Sequence, residues 1–321
     1  MSGLLERIGV ERPIVQAGMG GGLARHELAA AVSEAGGLGT LGILPAADLA
    51  RELAAARRLT DRPVAVNLLG PFTRRAHRRV AADADVVVSF WSRPRRPGPK
   101  PWLHQCGSVE EVRAAHSAGA DGAIVQGAEA GGHVRGELRG FELLERARTS
   151  VPESFPLLLA GGIAGPGDVR AALEAGAEAA VAGTRFLLSE ESRAHPDYKR
   201  RLLGSERTIL TELFGLGWPA APHRVVPNAA TERWGGGDDR GRGWIRAANR
   251  ALSPLAGRAP EGAQRRLLAR QSPALPLLSP QPPADDTPEH LLESGPLYAG
   301  ETVARIDSVQ PAARIVAGLG P

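Results

Sequence analysis

The first 185 residues repeat one unit: a short apolar run, a turn of small residues, then an Ala/Leu/Arg-rich stretch with helical spacing. The apolar runs are Ile14–Ala17, Gly37–Leu41, Val64–Leu68, Val86–Phe90, Trp102–Gln105, Ala123–Gln126, Leu157–Ala160 and Ala179–Ala182. The helical stretches include Glu27–Glu34, Ala46–Arg58, Arg74–Ala82, Val109–Ser117, Leu138–Arg148 and Asp168–Glu174. Several runs, Val86-Val-Val and Leu157-Leu-Leu among them, are continuously apolar. Continuity without alternation marks strands covered on both faces of a parallel sheet. Eight strands with helices between them predict an α/β fold of the (β/α)8 TIM-barrel kind, with a doubly wound sheet as the alternative. One unit breaks the pattern. Trp91-Ser-Arg-Pro-Arg-Arg-Pro-Gly-Pro-Lys-Pro101 places four prolines in eight residues, which forbids a helix. The fourth crossover helix is therefore expected to be replaced by an extended loop.

The period changes after Glu190. Residues 201–285 are rich in Arg, Gly, Pro and Ala, with helix-like pieces at Gly243–Leu252 and Gly262–Gln271, and Ser272–Asp286 carries five prolines and reads as loop. This segment is expected to form a smaller helical lid domain inserted before the C-terminal segment. Residues 1–200 then form the barrel, and 286–321 return to it through Pro296–Gly300 and a helix ending near Ala317.

Composition excludes several functional classes. No apolar run reaches the roughly 18 residues of a membrane span. The first residues lack the basic and apolar regions of a secretory signal, and the lone Cys106 leaves no intrachain disulfide, so a cytoplasmic location is expected. The net charge of +4 does not point to nucleic acid. Nearly all the basic residues are arginine, and Arg74, Arg75, Arg78 and Arg79 read as one solvated helix face without interleaved aromatics. Residues His26, His77, His116, His195, His223 and His290 have no partner at metal-ligand spacing, so no metal site is expected. His104, at a strand end, reads as a packed core residue.

In a parallel barrel the loops after the strands build the active site. The first strand ends in Gln16-Ala-Gly-Met-Gly-Gly-Gly22, the third in Asn67, and the sixth leads into Gln126-Gly-Ala-Glu-Ala-Gly-Gly-His-Val-Arg-Gly136. Four glycines in those eleven positions carry an entropic cost that needs a reason. Two readings fit: close backbone approach to a ligand with His133 beside it, or a plain mobile loop with a solvent histidine. The seventh strand ends in Ala160-Gly-Gly-Ile163, followed by a helix start at Gly165-Pro-Gly-Asp168, and the eighth ends in Gly183-Thr-Arg185. Unobstructed N–H groups, a helix N-terminus and the Thr184 hydroxyl together predict a phosphate site there; simple tight turns are the alternative. A dinucleotide fingerprint after the first strand and a Walker lysine are both missing.

These segments together resemble the nitronate monooxygenase family, formerly called 2-nitropropane dioxygenases. The resemblance rests on Pro13-Ile-Val-Gln-Ala-Gly-Met-Gly-Gly21, Ala35-Gly-Gly-Leu-Gly39, Val66-Asn-Leu-Leu69, Gln126-Gly-Ala-Glu-Ala-Gly-Gly-His133, Ala160-Gly-Gly-Ile163, Gly183-Thr-Arg-Phe186 and Leu297-Tyr-Ala-Gly300. It implies a non-covalent FMN with its phosphate on Gly161, Gly162, Gly183 and Thr184. Ala17, Gly18, Met19 and Asn67 would border the flavin ring with Gln126 beside it. His133 would be catalytic, and Gly132 and Tyr298 would line the substrate pocket. The implied reaction is oxidation of alkyl nitronates, of the propionate-3-nitronate type, by O2 to a carbonyl compound and nitrite. The chain departs from the family at Gly18, where Pro is common, in its proline-filled fourth connection, and at Glu301, where Gln is frequent. Two alternatives share the motifs: an FMN-dependent, NAD(P)H-using enoyl-acyl-carrier-protein reductase, and a non-catalytic flavin-binding or flavin-free barrel. The expected partners are a small-molecule substrate and O2, with no nucleic acid and no membrane.

Overall fold

The computed structural model describes residues 3–256, 268, 270–276 and 278–320. Among the described residues there are twelve strands: β1 Ile14–Gln16, β2 Gly39–Leu41, β3 Val64–Leu69, β4 Val86–Phe90, β5 Trp102–Cys106, β6 Gly122–Gln126, β7 Gly132–His133, β8 Leu157–Ala160, β9 Ala179–Ala182, β10 Ile209–Thr211, β11 His223–Val226 and β12 Leu297–Tyr298. Eight of them form a parallel sheet in the order β1-β9-β8-β6-β5-β4-β3-β2. The two edges meet. Leu38 N–H donates to Ile14 O and Gln16 N–H to Leu38 O, each at 2.9 Å, so the sheet closes into a barrel. All eight apolar runs of the sequence are barrel strands, as their two-sided burial requires.

Alternation sorts the strand residues into two layers. Val15, Ala65, Val86, Val88, Leu103, Ile124, Leu158 and Val181 fill the interior, joined by Leu4 and Leu5 of the N-terminal helix. Their neighbours in sequence, Ile14, Trp102, Ala123, Val125, Leu157 and Leu159, pack outward against the helices. Each fully buried aliphatic side chain contributes about 1.5–3 kcal/mol, so a charge on either face of these strands would be costly. The helix Ala312–Leu319 adds Ile315, Val316 and Leu319 to the outer layer, which returns the C-terminal segment to the barrel.

The fourth connection, residues 91–101, contains no helix, as its prolines dictate. It closes over β5 by a different contact. The Arg96 guanidinium lies 5.8 Å from the centroid of the Trp102 ring and pairs with Asp121 at 2.9 Å.

Residues 201–285 contribute more than the expected helices. They hold β10 and β11 as well as the helices Ala229–Trp234 and Gly243–Ala256. The predicted piece Gly262–Gln271 lies almost wholly outside the described residues. Strand β11 is the hub of a second, antiparallel sheet and pairs with β10, β12 and β7. Because β7 belongs to the loop after β6, and β12 to the C-terminal segment, the insertion is stitched to the barrel at the His133 loop itself.

Candidate active site

The strand ends bring Ala17, Asn67, Gln126, Ala160 and Ala182 to one rim: Ala17 N–H donates to Ala182 O and Gly127 N–H to Ala160 O, both at 2.9 Å. Asn67 Nδ2 donates to Gly18 O at 3.0 Å, which ties β3 to the loop after β1. That approach explains Gly18, since a Cβ there would lie 2.4 Å from Asn67 Cβ. Gln126 Nε2 donates to His133 O at 2.9 Å. The other amide ends, Asn67 Oδ1 and Gln126 Oε1, are buried without a hydrogen-bond partner, as is Thr40 Oγ1. Buried polar atoms in folded proteins are rarely left unpaired. Ala17, Gly18 and Met19 remain half-buried beside them.

Gly161 and Gly162 take φ of +106° and +78°, values that only glycine adopts without strain. Their backbones and that of Gly183 are half-buried. Among the described residues no protein acceptor outside a helix or strand ladder takes the N–H of Gly161, Gly162, Gly183 or Thr184. The Thr184 hydroxyl accepts from Gly300 N–H at 2.9 Å and keeps its own proton to donate. The adjacent helix Pro166–Glu174 differs from expectation. Its Asp168 carboxylate accepts from Ala164 N–H at 2.8 Å and Gly165 N–H at 2.9 Å. The N–H groups of Ala164 and Gly165 are therefore already engaged, whereas the two glycine turns and the Thr184 hydroxyl remain open. Free N–H groups, left-handed glycines and unpaired amide oxygens on one rim fit a phosphate-bearing, hydrogen-bonding planar cofactor.

His133 does not sit in a loose loop. Strand β7 pairs with β11, with His133 opposite His223 and Gly132 opposite Arg224. Gly132 has φ +77°. The His133 ring stacks on Trp218 with centroids 3.7 Å apart and planes 17° apart. His223 lies at 5.0 Å, Tyr298 at 5.6 Å and Trp91 at 6.0 Å. Burial, and secondarily the His223 ring, holds the His133 imidazole well below the ordinary histidine range, so it is neutral. Its Nε2 is buried and unpartnered. His223 is pushed down to about 4 by burial; its Nδ1 bonds Ala221 O at 2.9 Å and its Nε2 has no partner.

Tyr298 is anchored rather than free. Its hydroxyl donates to Pro280 O at 2.8 Å, its carbonyl accepts from the Tyr198 hydroxyl at 2.7 Å, and burial raises its phenol above the ordinary range. Trp91, first residue of the proline-filled connection, has φ +59°. A left-handed bulky residue costs about 1–2 kcal/mol, which the surrounding packing must offset.

Sequence reasoning missed His223, Trp218 and Trp91. The available signal for His223 was its place in the apolar run His223–Val226, which reads as a strand and so as a buried histidine. His104 is buried and held by Ser89 Oγ at 2.8 Å, which in turn accepts from Trp102 Nε1 at 2.7 Å. Among the described residues His26, Glu27 and Glu52 come within 4.8 Å of one another. Glu52 bonds His26 at 2.6 Å and Glu27 pairs through Oε1 with Arg193 at 3.1 Å.

Comparison with known proteins fits this geometry. A family model described as nitronate monooxygenase matches residues 2–88 and 102–236, omitting the proline-filled connection. A nitronate monooxygenase of Pseudomonas aeruginosa is 32% identical over 288 residues, covering 70% of this chain and 80% of the relative. A (3aS,4S,5R,7aS)-5-hydroxy-7a-methyl-1-oxo-octahydro-1H-indene-4-carboxyl-CoA dehydrogenase of Mycobacterium tuberculosis is also 32% identical, over 262 residues, covering 77% and 72%. Among solved structures, a nitroalkane oxidase from Streptomyces ansochromogenes has a TM-score of 0.74 at 29% identity, covering 99% of this chain and 96% of its own. FabK from Thermotoga maritima has a TM-score of 0.74 at 27% identity, covering 98% and 94%. No helix among the described residues is long and apolar enough to cross a membrane.

Proposed function

The chain belongs to the nitronate monooxygenase family of flavin-dependent oxidoreductases, and from that premise we propose that it binds FMN and oxidises alkyl nitronates with O2 to a carbonyl compound and nitrite. The observation that carries this reading is a neutral, half-buried imidazole, His133, with a buried and unpartnered Nε2 on the same rim as unpaired amide oxygens and open glycine turns. Gly161, Gly162, Gly183 and Thr184 hold the phosphate. Asn67 and Gln126 bond the ring's polar edge, with Ala17, Gly18 and Met19 along it. When bound, the flavin supplies the electron acceptor; the protein supplies binding, orientation and proton handling.

His133 is the catalytic residue in this proposal. As a neutral base it takes the α-proton of a nitroalkane at Nε2, breaking the C–H bond and leaving the charge on the nitro group. A base must be unprotonated at working pH, and burial keeps it so. Residues 201–285 act as the lid, excluding water from the reacting atoms. Pairing of β11 with β7 supports that role, since it fastens the lid to the histidine's own strand.

A second reading, reduction or dehydrogenation of an acyl thioester, is kept open by the dehydrogenase relative at the same 32% identity. One experiment separates the two. The protein is purified with its flavin, the released cofactor is weighed, and the bound flavin is mixed anaerobically with alkyl nitronates, neutral nitroalkanes, NADH and NADPH. The proposal expects FMN mass and bleaching by nitronates. FAD in the released fraction, or bleaching by nicotinamides alone, rejects it.

A further inference from the structure

Trp218 covers one face of the His133 ring. The indole lies 3.7 Å from the imidazole in a near-parallel stack and is 5% exposed. Its ring neighbours are edge-on, Phe72 at 5.2 Å and Trp91 at 5.2 Å. The indole N–H is buried and bonds to nothing. Packing, and no hydrogen bond from the indole itself, therefore holds the ring in place. The chain that carries it is a tight turn with two left-handed residues. Gly217, immediately before it, has φ +91° with no atom within 4 Å of where a Cβ would stand, and Ala220, two residues on, is left-handed at φ +54°.

The rings in contact with His133 are Trp218, Trp91, His223 and Tyr298, and none carries charge. The Arg135 guanidinium stacks on Trp91 at 5.2 Å and is already paired with Glu111. A second anionic group on a substrate would lose water among these uncharged rings without gaining a cation from them, which is unfavourable. A flat ring that displaces Trp218 replaces one aromatic stack with another, whereas an alkyl chain does not recover the stack.

We propose that Trp218 is an internal stand-in for the substrate, and that the site takes nitro compounds whose far end is a flat, uncharged ring and not a carboxylate. The proposal rests on the nitronate-oxidation reading and narrows it away from the propionate-3-nitronate type. It makes Trp218 a specificity-determining residue supplied by the lid.

The test uses the flavin-loaded protein and three substrates that share a nitroethyl unit: (2-nitroethyl)benzene, 1-nitropropane and 3-nitropropionate. Nitrite release is measured for each. The expected kcat/KM is at least tenfold higher for the phenyl compound than for the methyl one, with the carboxylate poorest. Trp218→Ala and Trp218→Leu, which leave no flat ring to expel, should lower KM for the phenyl compound at least threefold. The leucine variant keeps bulk in the position if alanine fails to fold. The proposal is overturned if 3-nitropropionate is turned over as well as the phenyl compound. It is equally overturned if both variants raise KM for the phenyl compound, since Trp218 would then be a wall and not a stand-in. If no compound yields nitrite, the nitronate reading fails separately. Tryptophan fluorescence then decides the slot: (2-nitroethyl)benzene must quench it saturably in the wild type and at lower concentration in Trp218→Leu, where Trp91 remains beside His133, and absence of saturable quenching in both rejects the slot.

Discussion

His133 and His223 stand opposite each other across the β7–β11 pair with ring centroids 5.0 Å apart. Burial keeps both imidazoles neutral, and the His223 ring adds to the effect on His133. The same pair joins the loop after β6 to the inserted segment, so His133 is held in register with β11.

Stability should fall with acid in a defined window. In the unfolded chain a histidine takes up its proton near pH 6.5, whereas folded His223 and His104 resist to about 4 and His133 lies well below its ordinary value. Between those limits the unfolded state binds more protons, so stability rises with pH. The contribution is complete above pH 6.5 and is lost as pH falls toward 4, by up to about 1.4 kcal/mol per histidine per pH unit. Urea midpoints measured from pH 7.5 to 4.5 check this. The slope should lessen in His223→Phe, and a wild-type midpoint that stays flat below pH 6.5 contradicts the assignment.

Catalysis gives an independent reading of the same ring. With a neutral nitroalkane, kcat/KM should stay level below pH 6.5, because the His133 base is already unprotonated there. His133→Asn should keep bound flavin yet lose roughly a hundredfold or more in rate on the neutral substrate. It should also lose thermal stability, since the Trp218 stack goes with the ring; such pairs contribute about 0.5–1.5 kcal/mol. An acid limb in the ordinary histidine range would falsify the buried-base account.

The barrel was legible because its signals are local. Continuous apolar runs such as Val86–Phe90 are strands for one reason, burial on both sides, and the prolines of residues 91–101 forbid a helix wherever they fall. The rim residues followed, because strand ends fix what stands at the mouth. The second sheet was not legible. His133, His223 and Tyr298 are joined by pairing between segments about 70 to 90 residues apart, and β7 and β12 are two residues each, too short to show alternation. Trp218 escaped notice for the same reason, since nothing within its own sequence says which ring it meets. Nor did the sequence reveal that the Asp168 carboxylate already engages the N–H groups of Ala164 and Gly165 at the start of its helix.

The glycine turns can be tested without disturbing the fold. A Cβ on Gly183 would meet only Ala17 Cβ, at 3.7 Å, an ordinary contact. Gly183→Ala should therefore fold with an unchanged melting point while binding FMN at least tenfold more weakly, because the added methyl stands where the phosphate approaches. Gly167→Ala, in open space on the adjacent helix, is the matched control and should bind normally. Gly18→Ala differs in kind: its Cβ would strike the Asn67 side chain, so stability itself should drop by about 1–3 kcal/mol. Equal flavin affinity in Gly183→Ala and wild type would remove Gly183 from the phosphate site.

Arg224 tests whether the lid positions the catalytic loop. Its guanidinium, almost wholly buried, donates from Nε at 3.1 Å and Nη2 at 2.7 Å to Ala128 O, and pairs with Glu301 at 3.3 Å. Its backbone is the register partner of Gly132, one residue from His133. The side chain therefore clamps the start of the loop while the main chain clamps its end. Arg224→Met keeps the bulk and the strand pairing but leaves the Ala128 carbonyl without these donors, at a cost of about 1–3 kcal/mol. If the clamp positions His133, kcat should fall at least tenfold while flavin affinity holds, because none of the proposed cofactor contacts involves Arg224. Arg224→Lys restores charge but not the two-pronged donor, so it should recover part of the stability and little of the rate. A methionine variant that melts earlier yet turns over at the wild-type rate would reduce Arg224 to a purely structural residue and separate the lid from the chemistry.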